Sequence, residues 1–276
     1  MDERLFLGLH GGLLRAPGAS APPGGLRELD VPREIAEHVA HVAVYREADV
    51  RVPIERVVPD GAVRLVFDLG TRRGRVDVAG PSTAPVLLPL GAEIANLTVT
   101  LRPEAAGEVL GVSAAAIRDR CVPLGDVWPG DVALLFERLA GAPDDRSFWD
   151  VVRSVLVKRR ARGRASDRGR ARRAQRVLAA GGDVREAAAA LGIGERRLEQ
   201  IFQAEVGLSP RLYRRLARLS ACLRTLSGRS HPHWSDLAAE HGYFDQAHLS
   251  NDFTRLVGLT PSQVFARISG SSKTDR

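Results

Sequence analysis

The sequence predicts an α+β protein in which a small antiparallel β barrel or sandwich with helices is followed by an all-α domain. The first half contains short β-rich runs separated by turn residues, whereas the second half repeats a helix–turn–helix pattern. The charge divides at the same place. Residues 158–276 contain 23 lysines and arginines against 11 acidic residues, and residues 1–157 contain 17 against 22. The helical half therefore favours an anionic partner.

Residues 1–32 are predicted to form an irregular N-terminal arm, because they are rich in glycine and proline and show no sustained periodicity. The next segment, 33–157, is predicted to be a β-rich domain that ends in helices. Runs such as VRLVFDL and NLTVTLR indicate its strands, and in the second of these leucine and valine alternate with threonine. From Pro103 onward the apolar spacing becomes helical, so helices are expected to cover or extend the sheet.

Residues 158–173, KRRARGRASDRGRARR, are predicted to be an arginine-rich linker. They are interrupted by glycine and contain almost no acidic or large apolar side chains. Two compatible interpretations stay open, a solvated linker and a segment whose arginines contact DNA phosphates. The all-α domain is placed at 174–268, and residues 269–276 are expected to be a disordered tail.

A complete helix–turn–helix pattern lies within residues 183–210. Residues 184–191 are small and apolar enough for a buried support helix, and Gly192 supplies a turn residue that accepts a positive φ. Leu198, Ile201 and Phe202 then recur at helical spacing and are expected to pack inward. The outward face holds side chains that can donate to or accept from base edges, namely Arg196, Arg197, Glu199, Gln200 and Gln203.

The same pattern recurs about fifty residues later, with a turn that is one residue longer. The segment EAAAALG, which begins at Glu186, aligns with DLAAEHG, which begins at Asp236, and both motifs end in Gly-Leu-(Ser/Thr)-Pro. Between them, Pro210 can begin a connecting helix that continues to about Ser227. Such a helix spans roughly 27 Å, and successive major-groove faces lie about 34 Å apart. One chain could therefore place two helices in successive grooves.

These features resemble the DNA-binding domain of the AraC/XylS family of bacterial transcription regulators. The resemblance covers about residues 172–268 and includes GIGERRLEQIFQAEVGLSPRLYRRLAR and LAAEHGYFDQAHLSNDFTRLVGLTP. The preceding half, notably LVFDLG and LTVTLRPEAAGEVLGVSAAAIRDRCVPLGDVW, is similar to an uncharacterised N-terminal domain often fused to such modules. The resemblance implies a sequence-specific regulator whose helices near 195–205 and 245–257 contact two adjacent major-groove segments. It also implies that the N-terminal domain binds an effector or mediates dimerisation.

For the first motif, the resemblance implies base contacts by Arg196, Glu199 and Gln200, with Arg197 and Gln203 at the flanks or at phosphates. Guanine is the natural partner of Arg196, and adenine is the natural partner of Gln200.

For the second motif, the implied DNA-binding residues are Gln246, Ala247, His248, Ser250, Asn251 and Arg255. His248 is expected to bind a phosphate or to form a structural hydrogen bond, and Arg218 is expected to pack within the domain or to form an intradomain salt bridge. The sequence departs from the family pattern at Asn251 and Asp252, where a basic residue is common. The first motif is therefore expected to supply most of the base readout.

No catalytic activity, cofactor or metal is predicted. His38 and His41 are an odd number of residues apart, so in a strand they would point to opposite faces and could not chelate one ion. The two cysteines, Cys121 and Cys222, are each expected to be small buried side chains.

The expected partners are double-stranded DNA and, from the resemblance, a small-molecule effector, RNA polymerase or a second copy of the chain. No apolar run is long enough for a membrane span and the N-terminus is acidic, so a cytoplasmic location is expected. Two alternatives remain open. One is a nucleoid-type protein that binds DNA without sequence preference, and the other is a small-molecule-binding or enzymatic N-terminal domain localised by a DNA-binding module.

Overall fold

The computed structural model describes residues 3–6, 8–9, 12–13, 25–70, 75–130, 132–162 and 167–270. The strands are β1 (Glu3–Phe6), β2 (Gly8–Leu9), β3 (Gly12–Leu13), β4 (Gly25–Leu29), β5 (Val39–Glu47), β6 (Ile54–Val57), β7 (Arg64–Asp68), β8 (Val76–Ala79), β9 (Val86–Pro89), β10 (Ile94–Leu101) and β11 (Cys121–Pro123). The helices of the N-terminal half are α1 (Ala106–Leu110), α2 (Leu124–Val127), α3 (Val132–Ala140) and α4 (Asp145–Arg162), with 3-10 turns at Pro103–Ala105 and Ala114–Ile117. The remaining helices are α5 (Arg168–Ala179), α6 (Val184–Ala189), α7 (Glu195–Glu205), α8 (Pro210–Ser227), α9 (Trp234–Glu240), α10 (Gln246–Val257) and α11 (Pro261–Gly270).

The N-terminal half is built on a six-stranded sheet with the order β11-β8-β7-β10-β5-β4, in which every neighbouring pair is antiparallel. Opposite residues of the central strands, such as Val99 and Val42, are fully buried, as the alternation in β10 predicts. A second sheet has the order β1-β6-β9. Both sheets are open at their edges. The prediction left a barrel and a sandwich open; the described strands form a sandwich-like arrangement and do not close into a barrel.

The predicted irregular arm contains regular structure. β1 pairs in parallel with β6, and β4 pairs antiparallel with β5. Side chains support the first pairing, because Arg4 lies 2.6 Å from Glu47 and 2.7 Å from Glu55. These strands have only four or five residues, which is too short for an alternation visible in the sequence. Residues 14–24, which include much of the glycine- and proline-rich stretch, lie outside the described residues.

The predicted arginine-rich linker is largely helical. α4 continues through Arg162 and α5 begins at Arg168, so only residues 163–167 separate them, and of these 163–166 lie outside the described residues. The guanidinium carbon of Arg159 lies 4.3 Å from the ring centroid of Trp128, and Arg168 contacts Glu37 and Glu108 at 3.1 Å. These arginines join the end of the N-terminal half to the rest of the fold, which explains why the segment is not an extended linker.

Helices α5 to α11 enclose a second hydrophobic core, which includes Leu198, Phe202, Leu223, Leu249 and Phe253. α11 extends to residue 270, two residues into the segment predicted to be a disordered tail; residues 271–276 lie outside the described residues. None of the helices in the described ranges is long and apolar enough to cross a membrane.

The two halves contact each other through close-packed backbone and polar groups. A Cβ atom added to Gly107 in α1 would meet the carbonyl oxygen of Ala204 in α7 at 2.8 Å, so only glycine permits this approach. The Ser113 hydroxyl, which precedes a 3-10 turn, donates to the carbonyl of Gln203 at 3.1 Å instead of capping its own turn. At the other end of the interface, Arg267 of α11 lies 3.0 Å from Glu3 of β1.

Candidate nucleic-acid interface

The first helix–turn–helix motif consists of α6 and α7. α6 begins with a reciprocal capping box, in which Asp183 accepts from the Glu186 backbone at 2.8 Å and Glu186 accepts from the Asp183 backbone at 2.7 Å. The turn passes through Gly192 at φ +65°, a left-handed conformation that favours glycine. Leu198 and Phe202 are fully buried, as predicted. The inward face of α7 therefore fixes which side chains point outward.

Of the five residues predicted to bind DNA on α7, Arg196, Arg197 and Gln200 are exposed, and Glu199 and Gln203 are half-buried. Arg196 forms no ion pair within the described part of the chain. Arg197 is paired with Asp167, at the start of α5, and its Nη1 lies 3.4 Å from Gln200 Oε1. Arg197 thus lies at the flank of the surface, and Arg196 and Gln200 form its accessible centre.

Gln203 is held by neighbouring protein groups. Its amide nitrogen donates to Glu199 at 3.2 Å, and its amide oxygen accepts from Arg118 of the N-terminal half at 3.2 Å. Arg118 also donates to the carbonyl of Gly207 at 3.4 Å. Contact of Gln203 with DNA would require the Arg118 contact to open, so in this conformation the N-terminal half covers the C-terminal end of α7.

Glu205, the last residue of α7, lies in the same junction. Its side chain is 8% exposed and accepts from the Asp167 backbone N–H at 3.2 Å. Burial raises the pKa of this carboxyl, with further contributions from the nearby Asp167 and Glu108 carboxylates. The junction therefore disfavours the charged form of Glu205.

Helix α8 connects the two motifs. Ser209 caps its N-terminus by accepting from the Leu212 backbone at 3.2 Å, and Pro210 occupies the first turn, as predicted. With eighteen residues, the helix spans roughly 27 Å. The bounds of α8 agree with the predicted connecting helix, which begins at Pro210 and continues to about Ser227.

The second motif consists of α9 and α10. Asp245 caps α10 by accepting from the His248 backbone at 2.7 Å, and Leu249 and Phe253 are fully buried. The predicted DNA-binding residues lie on the other side of the helix. Gln246, Ala247, Asn251 and Arg255 are exposed, and His248 and Ser250 are half-buried.

Asp252, one of the two residues at which the sequence departs from the family pattern, is buried and does not belong to the outward face. Its side chain is 4% exposed and accepts from Arg215 at 2.5 and 3.1 Å and from Arg218 at 2.9 Å. The predicted intradomain salt bridge of Arg218 is thereby confirmed. The carboxylate fastens α10 to α8, so it does not oppose DNA binding as an exposed negative charge would. Of the two positions where a basic residue is common in the family, Asn251 is the exposed one.

His248 has the structural role that was one of its two predicted roles. Its Nδ1 accepts from the Phe244 backbone N–H at 3.3 Å, and its ring packs edge-to-face against Tyr243 with centroids 5.3 Å apart. Nε2 lies 3.4 Å from Arg218, whose guanidinium is 4.2 Å from the Tyr243 ring centroid. This cluster ties the turn of the second motif to α8.

Within the described part of the chain, the histidines and cysteines outside the motifs lie apart from one another. His38 faces Glu108 at 3.1 Å, whereas His41 faces Glu28 at 3.5 Å. Cys222 is buried, as predicted, and burial raises its pKa to about 12. The prediction for Cys121 is wrong, because this side chain is exposed on β11, at an edge of the six-stranded sheet. No group of three or more His, Cys, Asp or Glu side chains within the described ranges could hold a metal ion.

Two helix–turn–helix motifs, joined by one helix and each presenting polar side chains outward, define a DNA-binding protein with two recognition helices in a single chain. Comparison with protein families agrees: the profile described as "Helix-turn-helix domain" matches residues 187–267. A second profile, "Domain of unknown function (DUF6597)", matches residues 28–123. The chain therefore carries a helix–turn–helix DNA-binding domain of the AraC type at residues 187–267, preceded by a domain of unknown function.

Solved structures of ToxT from Vibrio cholerae are similar to this chain at low identity. ToxT from strain O395 has 11% identity and a TM-score of 0.41 over 83% of this chain and 98% of that chain. ToxT bound to (E)-4-(8-methylnaphthalen-1-yl)but-3-enoic acid has 12% identity and a TM-score of 0.43 over 82% and 98%. ToxT bound to an unsaturated fatty acid has 12% identity and a TM-score of 0.39 over 83% and 95%. None of the curated protein sequences compared with the chain matches it.

Proposed function

We propose that this regulator binds a bipartite DNA site by placing α7 and α10 in successive major grooves. The observation that supports this most directly is the Asp252 cluster, because it fixes α10 on the connecting helix through two arginines of α8. A fixed separation between two recognition helices favours a site with a defined spacing between its halves. A protein that coats DNA through charge alone has no need of such a constraint.

The exposed centre of α7 is proposed to provide most of the base discrimination. Arg196 can donate two hydrogen bonds to guanine, and Gln200 can bind adenine in the same bidentate way. Arg197 is proposed to bind a phosphate, in exchange for its ion pair with Asp167. Glu199 and Gln203 contact each other, and they would join the interface once Arg118 releases the amide of Gln203.

For α10, the proposed contacts with bases or phosphates are made by Gln246, Ala247, Ser250, Asn251 and Arg255, with His248 in support of the turn. Its outward set contains one arginine, whereas that of α7 contains two. The imbalance is smaller than the sequence suggested, because the Asp252 carboxylate is buried and paired.

Segment 33–157 is proposed to sense an effector or to mediate association, and to act on DNA binding through its contact with α7. We assign the chain no catalytic role and place its action on DNA in the cytoplasm. RNA polymerase and a second copy of the chain are further proposed partners, as expected for a transcription regulator.

One cleft at the junction of the two halves suits an anionic effector. It has a volume of about 270 Å³ and is lined by Arg102 and Glu104 from the N-terminal half and by Arg172, Gln175 and Arg176 from α5. Gln175 is 6% exposed, and its amide nitrogen has no hydrogen-bond partner within the described residues. A carboxylate ligand could accept from this amide and from the arginines.

Selection of sites from a random DNA library tests the proposed function. The full chain should enrich a bipartite motif whose halves are about one helical turn apart. Inserting half a turn of DNA between the halves should then abolish tight binding, because α8 cannot follow the rotation. Enrichment of no motif, or binding insensitive to the insertion, would favour the nucleoid-type alternative.

The effector proposal has a separate test. A thermal-shift screen of small carboxylates should find ligands that raise the Tm of the wild type but not of Gln175→Leu. If every stabilising ligand acts equally on both proteins, the cleft is not the effector site, and this result would leave the DNA-binding proposal intact.

A further inference from the structure

Phe244 is an unusually exposed aromatic residue at the start of the second recognition helix. Its side chain is 92% exposed. The other exposed large apolar side chains of the described residues all lie in the N-terminal half, and they are 36–62% exposed. A phenylalanine with almost no protein contact does not contribute the stabilisation that burial of its ring would give.

Phe244 is also the residue by which the two motifs differ in length. Both turns begin with a glycine at positive φ, 65° in the first motif and 67° in the second. The next residue points inward in both, since Ile193 is half-buried and Tyr243 is 5% exposed. In the first motif the N-cap, Gly194, follows at once, whereas in the second Phe244 stands before the N-cap, Asp245. The extra residue is thus the exposed phenylalanine.

The backbone around Phe244 is held in place on both sides. Its own N–H donates to His248 Nδ1 at 3.3 Å, and the adjacent Asp245 accepts from the His248 backbone at 2.7 Å. On the other side, Tyr243 packs against the His248 ring and lies under the Arg218 guanidinium. The ring of Phe244 is therefore presented to solvent by an ordered turn.

Its position is next to the groove-facing end of the helix. Phe244 precedes the N-cap of α10, and the first two residues of that helix, Gln246 and Ala247, are exposed. In helix–turn–helix proteins, the N-terminal residues of the recognition helix contact base edges. The apolar group available in the major groove is the C5 methyl of thymine, which phenylalanine can contact.

We propose that Phe244 contacts a thymine methyl group and thereby specifies thymine at one position of the half-site bound by α10. This inference rests on the proposed function, because it assumes that α10 enters the major groove. It assigns base specificity to a side chain that cannot form a hydrogen bond with a base.

The test replaces each thymine of the selected α10 half-site, one at a time, with deoxyuridine, which lacks only the methyl group. Wild-type affinity should fall roughly fourfold at one position, the equivalent of one buried methyl group. Phe244→Ala should bind the unmodified site roughly tenfold more weakly. It should also bind the thymine and deoxyuridine versions of that position equally well. Phe244→Leu should retain part of the preference.

Leu134→Ala provides a matched control. Leu134 is 62% exposed on α3, in the N-terminal half, and its removal should leave both the affinity and the deoxyuridine effect unchanged. If Phe244→Ala retains the full deoxyuridine effect, the inference is wrong. Unchanged DNA affinity together with reduced transcription would also refute it, because the ring would then contact a protein. A library that yields no motif would instead refute the proposed function, and this inference with it.

Discussion

Replacing Asp252 with asparagine should destabilise the helical domain substantially. The side chain is 4% exposed and accepts three hydrogen bonds from two guanidinium groups, whose side chains are 26% and 18% exposed. Removing the charge leaves two partly buried arginines without their anion. Because these arginines retain some contact with water, we expect a loss of about 3 kcal/mol, the lower end of the range for breaking a buried pair from one side.

Urea unfolding followed by circular dichroism measures this loss directly. A change of about 3 kcal/mol corresponds to a fall in Tm of roughly 6–12 °C for a chain of this size. Asn251→Ala, at the exposed neighbouring position, is the control and should change stability by no more than about 0.5 kcal/mol. In a double-mutant cycle, Asp252→Asn with Arg215→Ala should cost less than the sum of the two single changes. If Asp252→Asn costs less than about 1 kcal/mol, the cluster does not fasten α10 to α8.

Three further predictions concern single groups. Cys121 should react with a thiol reagent in the folded protein because its side chain is exposed, although desolvation and the nearby Asp77 raise the pKa of its thiol and slow the reaction. Cys222 should react only after unfolding, because burial shields it and raises its pKa to about 12. The hydrogen bond from Arg46 lowers the pKa of Asp145 below its usual value near 4. The stabilisation that the ionised Asp145 carboxylate provides should therefore be complete above pH of about 4, and it should disappear as pH falls through the lower pKa of the folded state. Measuring the free energy of unfolding of the wild type and of Asp145→Asn as a function of pH would show this loss. Gly192→Ala should cost about 1 kcal/mol, because φ is +65° there although no atom lies within 4 Å of an added Cβ.

For each of these three predictions, one result would contradict it. Equal reactivity of the two thiols in the native protein would contradict the burial of Cys222. A stability difference between the wild type and Asp145→Asn that grows as the solution is acidified would have the wrong sign. Gly194→Ala is the control for the glycine test, since its φ is −75° and the space around it is open. A larger loss at Gly194 than at Gly192 would show that backbone strain is not the cause.

The helical half could be predicted well from the sequence because its signals are local. The spacing of Leu198, Ile201 and Phe202 fixes the inward face of α7, and the outward face follows from it. Gly192 and Pro210 mark a turn and a helix start through their own backbone preferences. Because the second motif repeats the sequence pattern of the first, the same assignment of inward and outward residues applies to it.

What could not be predicted depends on contacts between distant residues. The pairing of Asp252 with Arg215 and Arg218 joins positions more than thirty residues apart, so its acidic side chain could be interpreted only as an exposed departure from the family pattern. The spacing of the two arginines, three residues apart on α8, was the one available signal that they share a face.

The arginine-rich segment and the N-terminal arm show the same limit of local signals. Composition alone indicated a linker, but Arg159 packs on Trp128 and Arg168 pairs with Glu37 and Glu108, so the segment is folded by partners elsewhere in the chain. β1 is likewise defined by its pairing with β6, about fifty residues away.

The central claim is that Arg196 reads a base within a fixed bipartite site. The most direct measurement compares the wild type and Arg196→Ala on the selected DNA site and on every single-base variant of the half bound by α7. Arg138→Ala, which removes one exposed positive charge from α3, controls for net charge. Arg196→Ala should lose roughly 10- to 100-fold in affinity for the selected site and should no longer discriminate at one guanine, while its preferences elsewhere persist. An equal loss on every sequence, with all preferences intact, would contradict it.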